Sequence, residues 1–210
     1  MVVGLAAEAR IARPLGWHIA IGGGTATGAE AAAGHLIEIG VRALVSFGLA
    51  GGLDPTLRPG TIIVPSHVIF NNVSYAADAE LMRRLGGQTP HALFAAEDVA
   101  ASATSKGRLY ETTGAAALDL ESGAVARAAS ARELPFAVLR VICDPAHRCL
   151  PSAALAALDA QGTIAAWRVL AQLAAHPDQL PLLLRLAADA FVARRRLTRR
   201  VKEVAQVPAG

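Results

Sequence analysis

ALVSFGLAGGLDPTLRPG, residues 43–60, starts as an apolar run and reaches Gly48, Gly51 and Gly52 before a turn-forming segment. ALVSFG (43–48) reads as a buried strand, and paired glycines after such a strand let the backbone come close to something flat. DPTLRPG (54–60) reads as a turn between two strands rather than a domain boundary. Outward from this unit, short apolar runs alternate with longer Ala-rich stretches. VVGLA (2–6), WHIAIGG (17–23), TIIVPSHVIF (61–70), AAALDL (115–120) and FAVLRVIC (136–143) read as strands. TATGAEAAAGHLIEIG (25–40), ESGAVARAASARE (121–133), GTIAAWRVLAQLAA (162–175) and QLPLLLRLAADAFVARRRLTRRV (179–201) read as helices, and GGQTP (86–90) as an exposed loop. That alternation predicts an α/β fold in which a sheet is covered by helices.

Length and composition narrow the class. At 210 residues and 53% hydrophobic content the chain is long enough to bury one sizeable core, which predicts a single domain. No apolar stretch runs on for the roughly 18 residues that a spanning helix needs, and MVVGLAAEAR lacks a basic signal-peptide start. The expectation is a cytoplasmic protein. Cys143 and Cys149 are expected to be reduced and structural, and no His or Cys cluster has metal-ligand spacing. Net charge is +3, much of it in ARRRLTRRVK (193–202). Without interleaved aromatics this segment reads as a solvated helix end, not a nucleic-acid site.

The chemistry-bearing residues fall at strand ends. Glu8 follows the first strand, Gly22 to Gly24 the second, Gly48 to Gly52 the third, Glu121 a later one and Asp144 the last. In open α/β sheets ligands bind at the carboxyl ends of the strands, so three carboxylates and two glycine-rich turns are expected around one pocket. IGGGTATGAE (21–30) leads into a helix whose free N–H groups can hold an anion or sugar hydroxyls. It is neither a dinucleotide fingerprint, since Thr27 stands where the third glycine would fall, nor a P-loop. Asp144, before Pro145, is either a turn cap or a general acid at the floor of an apolar pocket. Glu8 is either a solvated first-turn acid or part of the same pocket, and Glu121 either complements a helix dipole or faces a ligand.

Taken in order, GLAAEA (4–9), the Gly22–Gly24 turn, FGLAGGL (47–53), LDLESGA (118–124) and RVICDPA (140–146) resemble the nucleoside phosphorylase and methylthioadenosine/S-adenosylhomocysteine nucleosidase superfamily. SKGRLYETTGAAALDLESGAVARAA, LPFAVLRVICDPAHRCLPSAAL and the Leu-rich tail are similar to its hopanoid-associated phosphorylase branch. The resemblance implies a three-layer sandwich with a central mixed twisted sheet flanked by helices. Residues 1–150 would form the core and 151–210 a helical extension packed on it. It also implies that adenine is released from an adenosine derivative, adenosylhopane in hopanoid biosynthesis or methylthioadenosine, in a homo-oligomer.

Carried over residue by residue, the resemblance makes Asp144 the acid that protonates N7 of the purine and Glu121 the acceptor for the ribose 2′- and 3′-hydroxyls. Leu120 becomes an apolar wall where the family has Met, and Asp119 takes the place of a Glu. Ala50 and Gly51 would lie along the base or sugar, Gly23 and Gly24 at the glycine turn, and Val99 and Ala100 at the adenine edge. Glu8 is the position at which the hydrolases carry a water-activating Glu and the phosphorylases tend to carry a cation. Arg10, Arg13 or Arg42 could supply charge for inorganic phosphate as a co-substrate; no cofactor or metal is implied. The family's hairpin between Glu8 and Gly22 looks shortened. Leu49 replaces a small polar residue, and Cys143 stands where Ser or Ala precedes the acid. If the substrate is lipid-linked, the basic C-terminal helix could touch a membrane surface.

Overall fold

The computed structural model describes residues 1–151 and 175–206. The expected helix over 162–175 therefore lies almost wholly outside the described residues. Nine strands are found among them: β1 (Val2–Val3), β2 (Ala20–Ile21), β3 (Leu44–Gly52), β4 (Ile62–Ile63), β5 (His67–Phe70), β6 (Val73–Ala76), β7 (Leu93–Ala95), β8 (Ala117–Asp119) and β9 (Phe136–Asp144). They form one mixed sheet in the order β2-β1-β3-β8-β7-β5-β6, with β9 beside β3 and β4 beside β9. Around it lie α1 (Ala6–Ala12), α2 (Ala26–Glu38), α3 (Ala79–Arg84), α4 (Ala103–Thr113), α5 (Ser122–Ser130) and α6 (Leu180–Ala205).

Side-chain alternation along the central strands builds the layers. Val2, Leu44, Val138 and Ile142 meet Ala29, Ala33 and Leu36 of α2 and Ala126 and Ala129 of α5 on one face. Val3, Val45, Phe47, Leu139 and Val141 meet Ala12 of α1 and Ala193, Leu197 and Val201 of α6 on the other. Successive strand residues point to opposite faces, so neighbours in the chain serve different cores. The α/β three-layer expectation holds.

Several boundaries differ from the sequence reading. The third strand does not stop at Gly48: β3 continues through the glycines to Gly52. Its first part runs parallel to β9, while Gly51 and Gly52 pair antiparallel with Leu118 and Ala117 of β8. The β3–β9 register shifts between Ala50 and Gly51: Ala50 faces Ile142 but Gly51 faces Asp144, leaving Cys143 as an extra residue. Extra residues of this kind locally re-aim the strand that carries them.

TIIVPSHVIF splits at Pro65, which has no N–H to give to a ladder. β4 joins β9, whereas β5 joins β6 and β7. VVGLA is a two-residue strand followed directly by α1, and a 3-10 turn over Arg13–Leu15 leads on to β2. Nothing but these elements lies between Glu8 and Gly22, in keeping with the shortened hairpin.

Candidate active site

β1, β3, β8 and β9 end around one cavity of about 240 Å³. Glu8, Gly24, Ala50, Gly51, Val99, Ala100, Leu120, Glu121 and Asp144 all line it. Gly23 is buried but does not line the cavity, so the glycine turn contributes only Gly24. Leu49, Asp119 and Cys143 are also at its wall. A larger, open hollow of about 720 Å³ shares Val99 and Ala100 but contains none of the three strand-end acids.

Glu8 is not a solvated first-turn acid; it is 3% exposed. Its Oε2 accepts the N–H groups of Gly4 and Leu5 at 3.0 and 2.9 Å, the reach-back of a third-position helix glutamate. Its Oε1 accepts Leu49 N–H from β3 at 2.9 Å, which ties α1 to the sheet. Burial raises the pKa of this carboxyl, with the Arg140 charge and the three N–H groups acting in the opposite direction.

Glu121 occupies the N-cap position of α5, yet its side chain makes no capping bond. Asp119 takes that role, accepting Ser122 N–H at 3.0 Å on Oδ1 and the Ser122 hydroxyl on Oδ2. Glu121 is thereby free to turn inward: Oε2 accepts Arg140 Nη2 at 2.8 Å, and Oε1 lies against Gly4 and Gly24. Burial, with Asp119 and Glu8 nearby, raises its pKa to about 7 against the opposing pull of Arg140.

Two cations that the sequence reading gave no role complete the site. Arg140, on β9, is 1% exposed. Its Nε lies 2.6 Å from Asp119 Oδ2, and its Nη2 also donates to Ser46 Oγ at 2.8 Å. Burial alone disfavours its charge, but Asp119, Glu121 and Glu8 together outweigh that and raise its pKa. An arginine inside the apolar run FAVLRVICD was the available signal, since a charge in a buried strand requires partners. Lys106, on α4, is equally buried and pairs with Asp144 Oδ2. It is one of two lysines in the chain, a fact too slight to have marked it.

Asp144 itself is 5% exposed, with Oδ1 lying over Gly51. The Cys143 thiol, 3.5 Å from Oδ1, has its pKa raised by burial and by that carboxylate. Arg10, Arg13 and Arg42 are exposed, and none lines the cavity. Among the described residues no group of three or more His, Cys, Asp or Glu could hold a metal ion.

A family model described as the phosphorylase superfamily matches residues 18–89 and 92–175. The chain belongs to the phosphorylase superfamily. Solved structures of similar fold include the 5′-methylthioadenosine/S-adenosylhomocysteine nucleosidase of Neisseria meningitidis in complex with methylthio-immucillin-A. It is 14% identical, with a TM-score of 0.70 over 97% of this chain and 96% of that one. The corresponding nucleosidase of Helicobacter pylori, with butyl-thio-DADMe-Immucillin-A, is 15% identical, with a TM-score of 0.66 over 96% of both chains. Futalosine hydrolase of Helicobacter pylori is 14% identical, with a TM-score of 0.65 over 96% of both. No curated protein matches the sequence. At these identities the likeness to these solved structures is one of fold.

Proposed function

We propose that the chain is an enzyme that breaks the N-glycosidic bond of an adenosine derivative and releases adenine. The observation that carries this reading is the meeting of Glu8, Glu121 and Asp144 around one small, largely apolar cavity. Breaking the bond builds positive charge on the ribose and negative charge on the leaving purine. Asp144 Oδ1, over Gly51, protonates N7 so that adenine leaves neutral. Glu121 accepts the ribose hydroxyls through Oε1 and favours the cationic sugar beside it. Leu120 and Leu118 keep water from the sugar's flank.

Water, activated by Glu8, is the nucleophile this arrangement favours. The two buried cations beside the site are already engaged by acidic side chains, Arg140 by Asp119 and Glu121, Lys106 by Asp144. Inorganic phosphate is the competing co-substrate, as the hopanoid-associated resemblance implies. A non-catalytic nucleoside binder would have no need for all three acids.

The substrate proposed is adenosylhopane, in hopanoid lipid biosynthesis. Its support is the resemblance of residues 105–129 and 134–155 together with α6. On that helix Leu184 and Phe191 are each 62% exposed, and Arg195, Arg196, Arg199 and Lys202 are exposed further along. An apolar end followed by cations suits peripheral contact with anionic headgroups; among the described residues no helix is long and apolar enough to cross a membrane. Methylthioadenosine or S-adenosylhomocysteine is the second reading, favoured by Glu8 and by the fold of the neighbouring nucleosidases. A homo-oligomer is proposed on the superfamily resemblance.

Incubation with adenosylhopane and with methylthioadenosine, each with and without phosphate, tests these readings through adenine and the sugar product. Phosphate-independent adenine release is expected. The 1-phosphate of the 5-substituted ribose as product would make the enzyme a phosphorylase. No release from either substrate, with Asp144→Asn binding as well as the native chain, would leave only a binding protein.

A further inference from the structure

Lys106 sits in the first turn of α4, where the helix dipole works against a cation. It is also 1% exposed, and a buried ammonium persists only with full pairing. Its three N–H donors have three acceptors: Asp144 Oδ2, Pro145 O at 3.2 Å and Arg148 O at 3.1 Å. Both carbonyls belong to the turn that follows β9, closed by Arg148 N–H donating to Pro145 O at 3.0 Å. Leu150 N–H donates to Ala101 O at 2.8 Å, one residue beyond Ala100. The segment after the acid is thus latched to the segment that carries Val99 and Ala100, and Lys106 is the charged part of the latch.

We propose that Lys106 is a positioning residue for the acid: its ammonium holds Asp144 Oδ2 and so aims Oδ1 at the purine. The inference rests on the reading of Asp144 as the proton donor. In that step the Oδ1–H bond breaks and an N7–H bond forms, while the electron pair of C1′–N9 moves onto the purine. Asp144 is left as a carboxylate. The other groups facing Asp144 cannot take the ammonium's place. Cys143 is a thiol on the same strand, Glu8, Asp119 and Glu121 across the cavity carry the wrong sign, and Arg140 is taken by Asp119 and Glu121.

The test compares Lys106→Gln, which keeps hydrogen bonding without charge, and Lys106→Arg, which keeps the charge. Substrates are methylthioadenosine and its N7-methyl counterpart, whose base is already cationic and leaves without a proton on N7. Lys106→Gln is expected to lower kcat on methylthioadenosine about 100-fold with KM changed less than about threefold, and to spare the N7-methyl substrate. Lys106→Arg should recover a large part of the loss. Equal losses on both substrates, or no loss on either, would overturn the proposal.

A second measurement does not depend on turnover. A crystal structure of Lys106→Gln should show the Asp144 carboxyl turned off Gly51, and one of Lys106→Arg should show it back in place. An Asp144 that keeps its position over Gly51 in Lys106→Gln would overturn the proposal even if methylthioadenosine is not cleaved. A displaced Asp144 in a chain that releases no adenine would count against the nucleosidase reading and leave the pairing intact.

Discussion

Arg140 Nε lies 2.6 Å from Asp119 Oδ2, with the two side chains 1% and 2% exposed. Asp119 in turn caps α5, so one guanidinium connects β9 to the start of the helix that Glu121 precedes. Arg140→Met would leave Asp119, Glu121 and Glu8 buried around no countercharge. Breaking a buried pair from one side costs about 3–5 kcal/mol, and urea denaturation near pH 7 is expected to show a loss of that order. A loss below about 1 kcal/mol would mean that the carboxylates find other partners.

Glu121 gives the reaction a pH dependence. With its pKa raised to about 7, it is largely protonated in the free protein below that value and largely ionised above it. Ribose hydroxyls need an acceptor, so the ionised form is the binding form. Affinity for methylthioadenosine, measured by titration calorimetry on an inactive Asp144→Asn variant, should therefore rise as pH increases through about 7. Affinity that falls over the same interval would assign the ribose to another group.

Gly48 cannot carry a side chain. A Cβ there would lie 2.5 Å from Glu8 Oε1 and 2.6 Å from Arg140 Nη1. Both neighbours are held, Glu8 by three N–H groups and Arg140 by its carboxylates, so neither can step aside. Gly48→Ala is expected to destabilise the fold by about 1–3 kcal/mol or more and to depress adenine release beyond what stability explains. Thermal denaturation beside an activity assay at low temperature separates the two effects; unchanged behaviour in both would show that Glu8 is less constrained than its bonds suggest.

The two ends of α6 should respond oppositely to truncation. Ala193, Leu197, Val201 and Val204 are buried at helical spacing, so the arginine-rich half packs against the sheet. Leu197→Ala should cost about 2–5 kcal/mol. Leu184→Ala, at a site 62% exposed, should leave the denaturation midpoint nearly unchanged while weakening attachment to anionic vesicles in a sedimentation assay. Comparable losses of stability from both substitutions would place the outer half in contact with protein.

The same helix illustrates what could be read in advance. The sequence reading took the arginine-rich segment 193–202 as a solvated end beyond a Leu-rich stretch. The structure reverses the emphasis: Phe191 is outside, and the buried stripe runs between the arginines. A sparse stripe among long charged side chains is hard to see because the arginine stems mask the period. Strand ends fared better, because glycines and acids after apolar runs are local signals. Of Asp144, Glu8, Glu121, Leu120, Ala50, Gly51, Gly23, Gly24, Val99 and Ala100, to which the resemblance gave a place at the substrate, all but Gly23 line the cavity.

The elements that escaped notice are those with weak local pattern. α1 hides behind a two-residue strand, and β6 is short and exposed, with only Tyr75 partly covered. α4 is polar, buries Lys106 within its span, and announces itself only through the Ser102 and Ser105 capping pair. Lys106 was illegible for a different reason, its partner Asp144 lying 38 residues away, and Arg140 signalled in its apolar run that it needs partners but not which ones, Ser46 being 94 residues away. No pattern along the chain encodes such a meeting.

The register shift between Ala50 and Gly51 has a consequence for how this site can change. Asp144 faces Gly51 only because Cys143 is an uncounted step in the ladder with β3. Were the same residues paired without the shift, Cys143 would face Gly51 and Asp144 would face Gly52, on the opposite side of the sheet. The acid's aim is set by this irregularity as well as by which residue ends the strand. Related chains can therefore be sorted by register at this point: one that keeps every side chain of the site but pairs regularly here would carry the right parts in an orientation that cannot work.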